Sequence, residues 1–208
     1  MSLADTLSVF RAGIVHTNNL ISMAYEQDTT GNDIFDADKK EFVISSAFLK
    51  MFIYWESFVE DSFSKYLTGE LSTDGTGVMC FVSPNDREHA LKILIGTQKY
   101  VDWANHDIVR RLANLYLENG DPFASNLASI SRELSDLKTV RNAAAHLSST
   151  TQHQLDALST RVLGRPISNT DVAAFMMQLH PLDSSKTVLQ YYQNLLDITA
   201  ENVAANRT

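Results

Sequence analysis

The sequence predicts an all-α protein, a helical bundle in a single domain spanning residues 1–208, with a long central helix. Two observations carry this expectation. Apolar residues recur at helical spacing over most of the chain. Turn-formers are scarce, with eight glycines and four prolines in 208 residues, too few for the many tight turns of an all-β fold. Apolar residues make up 44% and charged residues 20% of the chain, a globular balance at a length that supports one sizeable core.

The elements follow in order. Leu3, Leu7, Phe10, Ile14, Leu20 and Ala24 mark a first helix from Ser2 to about Gln27, and Asp28-Thr29-Thr30-Gly31-Asn32-Asp33 ends it with turn chemistry. A second helix runs from about Asp36 to Leu71, with Asp36 or Asp38 able to cap its start. Its apolar stripe is Ile44, Phe48, Met51, Trp55, Phe58, Phe63 and Tyr66, widened by Phe42, Phe52 and Val59. A helix so broadly apolar needs neighbours on more than one side. Thr73 to Gly77 reads as a loop and Val78 to Val82 as a short extended piece.

Ser83-Pro84-Asn85-Asp86 opens a short helix to about Ile95, and another covers about His106 to Leu117, stopping at Asn119-Gly120-Asp121-Pro122. One helix is expected from about Phe123 to Leu147, interrupted by Ser148-Ser149-Thr150-Thr151, with a further turn or helix over Gln154 to Leu163. Gly164-Arg165-Pro166 is a break. Asn169 to His180 and Ser184 to Ala204 read as the last two helices, the final one capped by Asp183 or Ser184.

The formal charge is −8, against coating by nucleic acid over a broad surface. The charge is uneven. Residues 1–104 hold 8 basic and 15 acidic side chains, and residues 105–208 hold 9 and 10. Contact with a polyanion is therefore expected to be local and in the second half. The lone Cys80 excludes a disulfide within the chain and fits a reducing compartment. The N-terminus lacks a signal-peptide pattern, and the apolar run Phe42 to Trp55 is broken by Ser45, Ser46 and Lys50, short of the roughly 20 residues a span needs. These point to the cytoplasm and to no membrane partner.

The chemistry concentrates in Arg141-Asn142-Ala143-Ala144-Ala145-His146. Asn142 and His146 are four residues apart, hence on one helix face, and Lys138 extends that stripe. Positions 137, 138, 144 and 145 offer Arg141 no carboxylate, so its counter-charge must come from another helix, another subunit or a ligand. The three alanines leave room for close approach of another backbone. His146 at a helix C-terminus meets the negative end of the dipole, which favours a protonated imidazole, and histidine changes charge near neutral pH as acid/base work requires. On an earlier helix Glu56 lies beside the apolar stripe, four residues before Glu60, and Arg141 is its candidate partner. His16, His89, His106 and His180 are isolated. No cysteine or carboxylate cluster joins His146 and His153 in a metal site, and no glycine-rich phosphate loop occurs. No cofactor is expected.

Arg141-Asn142-x-x-x-His146 resembles the Arg-x(4–6)-His motif of HEPN-domain ribonucleases, and Tyr54-Trp55-Glu56-Ser57-Phe58-Val59-Glu60 resembles the aromatic-Glu segment on an earlier long helix of the small stand-alone prokaryotic HEPN families. In outline the resemblance covers most of the chain. It implies a metal-independent endoribonuclease in which the substrate's own 2′-hydroxyl attacks the adjacent phosphorus and leaves a 2′,3′-cyclic phosphate. His146 would move the proton, Arg141 would stabilise the phosphorane oxygens, Asn142 would orient the histidine or the phosphate, and Glu56 would complete the catalytic set. Lys138 and Arg132 would contact RNA. The resemblance also implies a homodimer with a composite site, a role as a toxin or defence effector, and an antitoxin or immunity partner. The alternative is a non-catalytic HEPN-like module that binds a nucleotide, RNA or a protein.

Overall fold

A computed structural model describes residues 2–146, 148–167 and 170–208. The described residues are predominantly helical: α1 Leu3–Met23, α2 Ala37–Leu67, α3 Arg87–Ile95, α4 His106–Tyr116, α5 Phe123–Ser129, α6 Ser131–Ala145, α7 Ser149–Leu163, α8 Val172–Met176 and α9 Val188–Ala205. One antiparallel hairpin, β1 Leu179–His180 with β2 Asp183–Thr187, stands between α8 and α9. The expected all-helical fold is the observed one. The chain forms two compact units, residues 1–11, 54–135 and 195–208 in the first and residues 12–53 and 136–194 in the second.

In the first unit the core is aromatic. Phe10 of α1 meets Trp55 and Phe58 of α2 with ring centroids 5.8 and 5.5 Å apart. Phe63 stacks on Phe123 of α5 at 4.8 Å, and Tyr66 stands edge-on to Phe123 at 6.1 Å. The Tyr66 hydroxyl donates to the carbonyls of Val203 and Ala204 at 2.6 and 3.2 Å, which closes the C-terminal end of α9. Arg207 then pairs with Asp74, and its carbonyl accepts from the buried Asn126 amide at 2.6 Å. In the second unit Ile44, Phe48, Met51 and Phe52 of α2 are buried, as are Val140, Leu155, Leu158, Phe175, Met176 and Tyr192.

Helix α2 keeps the stripe expected of it, with Ile44, Phe48, Met51, Trp55, Phe58, Phe63 and Tyr66 all buried and Phe52 and Val59 with them. Phe42 departs from expectation at 70% exposed. The stripe begins two residues later, at Ile44. Asp36 caps the helix, accepting the Lys39 N–H at 2.9 Å. By length and composition alone α2 is apolar enough to cross a membrane, which corrects the shorter run read from sequence, and half of its most apolar window is buried inside the protein.

Further boundaries differ from the sequence reading. The expected helix from Phe123 to Leu147 is two helices separated at Ile130, whose φ and ψ are −120° and 25°; Leu147 lies outside the described residues. Polar side chains around the break bond to backbone carbonyls instead of leaving them to the helix: Ser129 donates to Asn126, and Asn126 to Pro122. The break expected at Ser148 to Thr151 is present but shorter, since Ser148 is an extended cap and Ser149 to Thr151 already form the first turn of α7. Ser148 Oγ accepts the Thr151 N–H at 3.2 Å and Thr151 Oγ1 accepts the Ser148 N–H at 3.1 Å, a reciprocal cap.

The helix expected from Asn169 to His180 is shorter, and Asn169 itself lies outside the described residues. Pro181 biases His180 towards extended backbone, and the chain forms the hairpin there. Thr187 and Gln190 then cap α9 reciprocally, at 3.2 and 2.9 Å. Asp183 is no cap; it folds onto Ser185 and Lys186. Residues 78–82 form no strand, only an antiparallel bridge between Cys80 and Leu117.

The turn after α4 needs glycine at position 120. Its φ is +73°, and a Cβ there would stand 2.4 Å from Asn114 Oδ1 and 2.8 Å from Ala124 Cβ. Gly120→Ala should therefore lower stability by more than the roughly 1 kcal/mol of a left-handed alanine alone. Tyr66→Phe should cost about 1–3 kcal/mol, since it strips a buried hydrogen bond, and Asp74→Ala about 0–1 kcal/mol, since that pair is exposed. Urea denaturation of the three variants checks the ranking.

Candidate functional site

The motif occupies the C-terminal half of α6. Leu134, Leu137, Val140 and Ala143 recur at three-residue spacing and are all buried, which fixes the inward face of the helix. Lys138, Arg141, Asn142 and Ala144 are consequently half-buried, and Ala145 and His146 are exposed. The three alanines thus pass from core to surface within one turn.

His146 stands just beyond α6. Its N–H donates to the Asn142 carbonyl at 3.0 Å, and its own carbonyl accepts from Thr151 Oγ1 at 2.6 Å. The start of α7 is thereby tied to the end of α6. In the chain His146 lies between the C-terminal end of α6 and the N-terminal end of α7. The same arrangement puts backbone N–H groups of α7 beside the motif.

Arg141 Nη1 donates to Asn142 Oδ1 at 3.4 Å, a long contact. Among the described residues Arg141 makes no ion pair. Of the three sources of counter-charge considered from sequence, another helix of the same chain supplies none there. Arg141, Asn142 and His146 lie within about one and a half turns of one another in the second unit.

The other sequence candidates fall as follows. Lys138 is half-buried and has a polar partner. Arg132 is exposed near the start of α6, nine residues before Arg141, a rise of about 13 Å along the axis. Glu56 belongs to the first unit, half-buried after Trp55, and is engaged in a polar interaction. Glu60 has a structural partner: with Asp61 it receives Arg87, at 3.1 and 2.6 Å. Among the described residues no group of three or more His, Cys, Asp or Glu is arranged to hold a metal ion.

A polar cluster that sequence reasoning missed anchors the N-terminal half of the same helix. Asp136, 7% exposed, accepts from Arg161 of α7 in a short ion pair and from the Tyr192 hydroxyl of α9 at 3.0 Å. Its spacings to Arg161 and Tyr192 are 25 and 56 residues. No local pattern joins them; the one signal was an acid set among Leu134, Leu137 and Val140.

The cluster predicts an asymmetry. Arg161→Ala removes the cation that α7 brings to the buried Asp136 carboxylate and should cost about 3 kcal/mol. Asp136→Ala leaves Arg161 able to reach water and removes the acceptor that the Tyr192 hydroxyl uses on α6, about 1–3 kcal/mol. Thermal denaturation of the two variants decides it, and equal losses would contradict the assignment. Comparison of the chain with family models, curated proteins and solved structures finds no match.

Proposed function

We propose that the protein is a metal-independent endoribonuclease of HEPN type whose site is Arg141, Asn142 and His146. The observation that carries the reading is the half-buried Arg141, without an ion pair among the described residues, about one and a half turns from an exposed histidine. A guanidinium so placed suits a phosphate oxygen, which its planar fork can hold through two hydrogen bonds. His146 is open to substrate, and the N-terminus of α7 adds donors of the kind that receive phosphate.

In this reading the 2′-hydroxyl of the RNA attacks its own 3′-phosphorus as the bond to the departing 5′-oxygen breaks. His146 moves the proton and Arg141 balances charge on the non-bridging oxygens. Asn142, in contact with Arg141, orients it. Glu56, Lys138 and Arg132 are supporting contacts, Lys138 and Arg132 towards RNA. The protein acts as a homodimer in the cytoplasm, as a toxin or defence effector with an antitoxin or immunity partner. A second reading, a non-catalytic module that binds a nucleotide, RNA or a protein, is favoured by the net charge of −8.

Purified protein in EDTA should cleave RNA and leave a 2′,3′-cyclic phosphate and a 5′-hydroxyl. His146→Ala should lower the rate by about 10²–10⁴, and Arg141→Lys should be impaired although the charge remains. Products with a 5′-phosphate, or cleavage that requires added Mg²⁺, would sink the assignment. Retention of RNA without cleavage selects the binding-module reading. Sedimentation at micromolar concentration should show a dimer; a monomer that still cleaves removes the composite site.

A further inference from the structure

The hairpin before α9 has little of its own to hold it. β1 contains two residues, and an irregularity in register separates Leu179, which pairs with Thr187, from His180, which pairs with Asp183. A hairpin of this size is marginal by itself. Leu179 and Leu182 point outwards, 62% and 82% exposed, and add no burial. The one residue of the hairpin that is buried is His180, at 6% exposure.

Its imidazole lies flat on Tyr191 of α9, with ring centroids 3.7 Å apart and planes 6° from parallel, and Tyr192 stands edge-on at 6.4 Å. Its Nδ1 accepts the Leu182 N–H at 3.2 Å, across the turn of the hairpin. An accepting Nδ1 places the ring proton on Nε2, so the contact exists only for the neutral imidazole.

We propose that residues 179–187 form a proton-released arm, latched onto α9 by neutral His180 and freed when that imidazole takes up a second proton. Protonation turns Nδ1 into a donor facing the Leu182 N–H donor, and it puts a charge into a site closed to water. The groups around the ring do not repair this. The Tyr191 face attracts a cation, but it offers no acceptor to the N–H that Nδ1 would gain. Asp136 behind Tyr192 is held by Arg161. On β2, Asp183 is the one nearby carboxylate, and it is engaged with Lys186 at 2.6 Å and Ser185. At the base of the hairpin Arg165 donates to Gln178.

Burial lowers the His180 pKa from 6.5, and Asp183 offsets this only in part. The released imidazole therefore protonates before the latched one. The latch is at full strength above about pH 6.5 and weakens as pH falls below it, by up to tenfold per unit. Asp183, with its pKa pulled down to about 2 by Lys186 and Ser185, stays ionised throughout that window and contributes nothing to the change.

The test is hydrogen–deuterium exchange of the full chain at pH 7.5 and 5.5, corrected for the intrinsic effect of pH on exchange. The amides of residues 179–187 should lose up to about tenfold of their protection at pH 5.5 while those of α2 keep theirs. In His180→Gln, which retains a side-chain acceptor but does not titrate, protection of the hairpin should be independent of pH whatever its level. Unchanged protection in the unmodified protein, or the same loss in His180→Gln, overturns the proposal. A readout that needs no variant is the titration of the His180 ring by NMR. A midpoint below 6.5 is expected, and one at or above 6.5 overturns the latch.

Discussion

The burial of α2 is the constraint on which the rest of the structure depends. Residues of this one helix supply core to each compact unit, Ile44, Phe48, Met51 and Phe52 in one and Trp55, Phe58, Phe63 and Tyr66 in the other. Eight such side chains, each worth about 1.5–3 kcal/mol when fully withdrawn from water, exceed any single polar contact in the protein. A helix with so few exposed positions dictates its neighbours, because apolar surface on several sides must be covered on several sides.

Polar interactions then decide where helices end. Tyr66, itself on α2, satisfies the last carbonyls of α9. Asp86 and Asn105 accept from the first turns of α3 and α4, and Ser148 and Thr187 do the same for α7 and α9. Each satisfies backbone donors that a helix leaves open at its start. The apolar core sets which faces point inwards, and these caps set the lengths over which they do so.

The motif helix α6 divides into two halves of different character. Its first half is clamped, since Asp136 binds side chains from α7 and α9. Its second half ends in a half-buried guanidinium and an exposed imidazole, with the start of α7 tied alongside. A rigid base under an open polar end is an arrangement in which side chains can be presented to a ligand without first being ordered. Helix α9 also holds the hairpin, and its Tyr192 touches both Asp136 and His180.

Much of this was legible in the amino-acid sequence. Helical periodicity identified α1, α2, α3 and α4 nearly to their ends, since those signals are local: apolar spacing along one face, an Asp cap, Asn119-Gly120 as a stop. The candidate site was legible for the same reason, because Arg141, Asn142 and His146 lie within six residues. Three features were decided by tertiary structure. Phe42 is apolar, yet it stands on the outward face of α2 with Ser46, Lys50, Ile53 and Ser57 and stays in water. Asp136, Arg161 and Tyr192 form a polar cluster from three helices around a buried carboxylate, and His180 is closed in by a tyrosine eleven residues onward in a hairpin read as two helix ends. Periodicity reports which face of a helix is apolar. It carries no information on what that face meets, and burial of a charge or an imidazole is a property of the meeting.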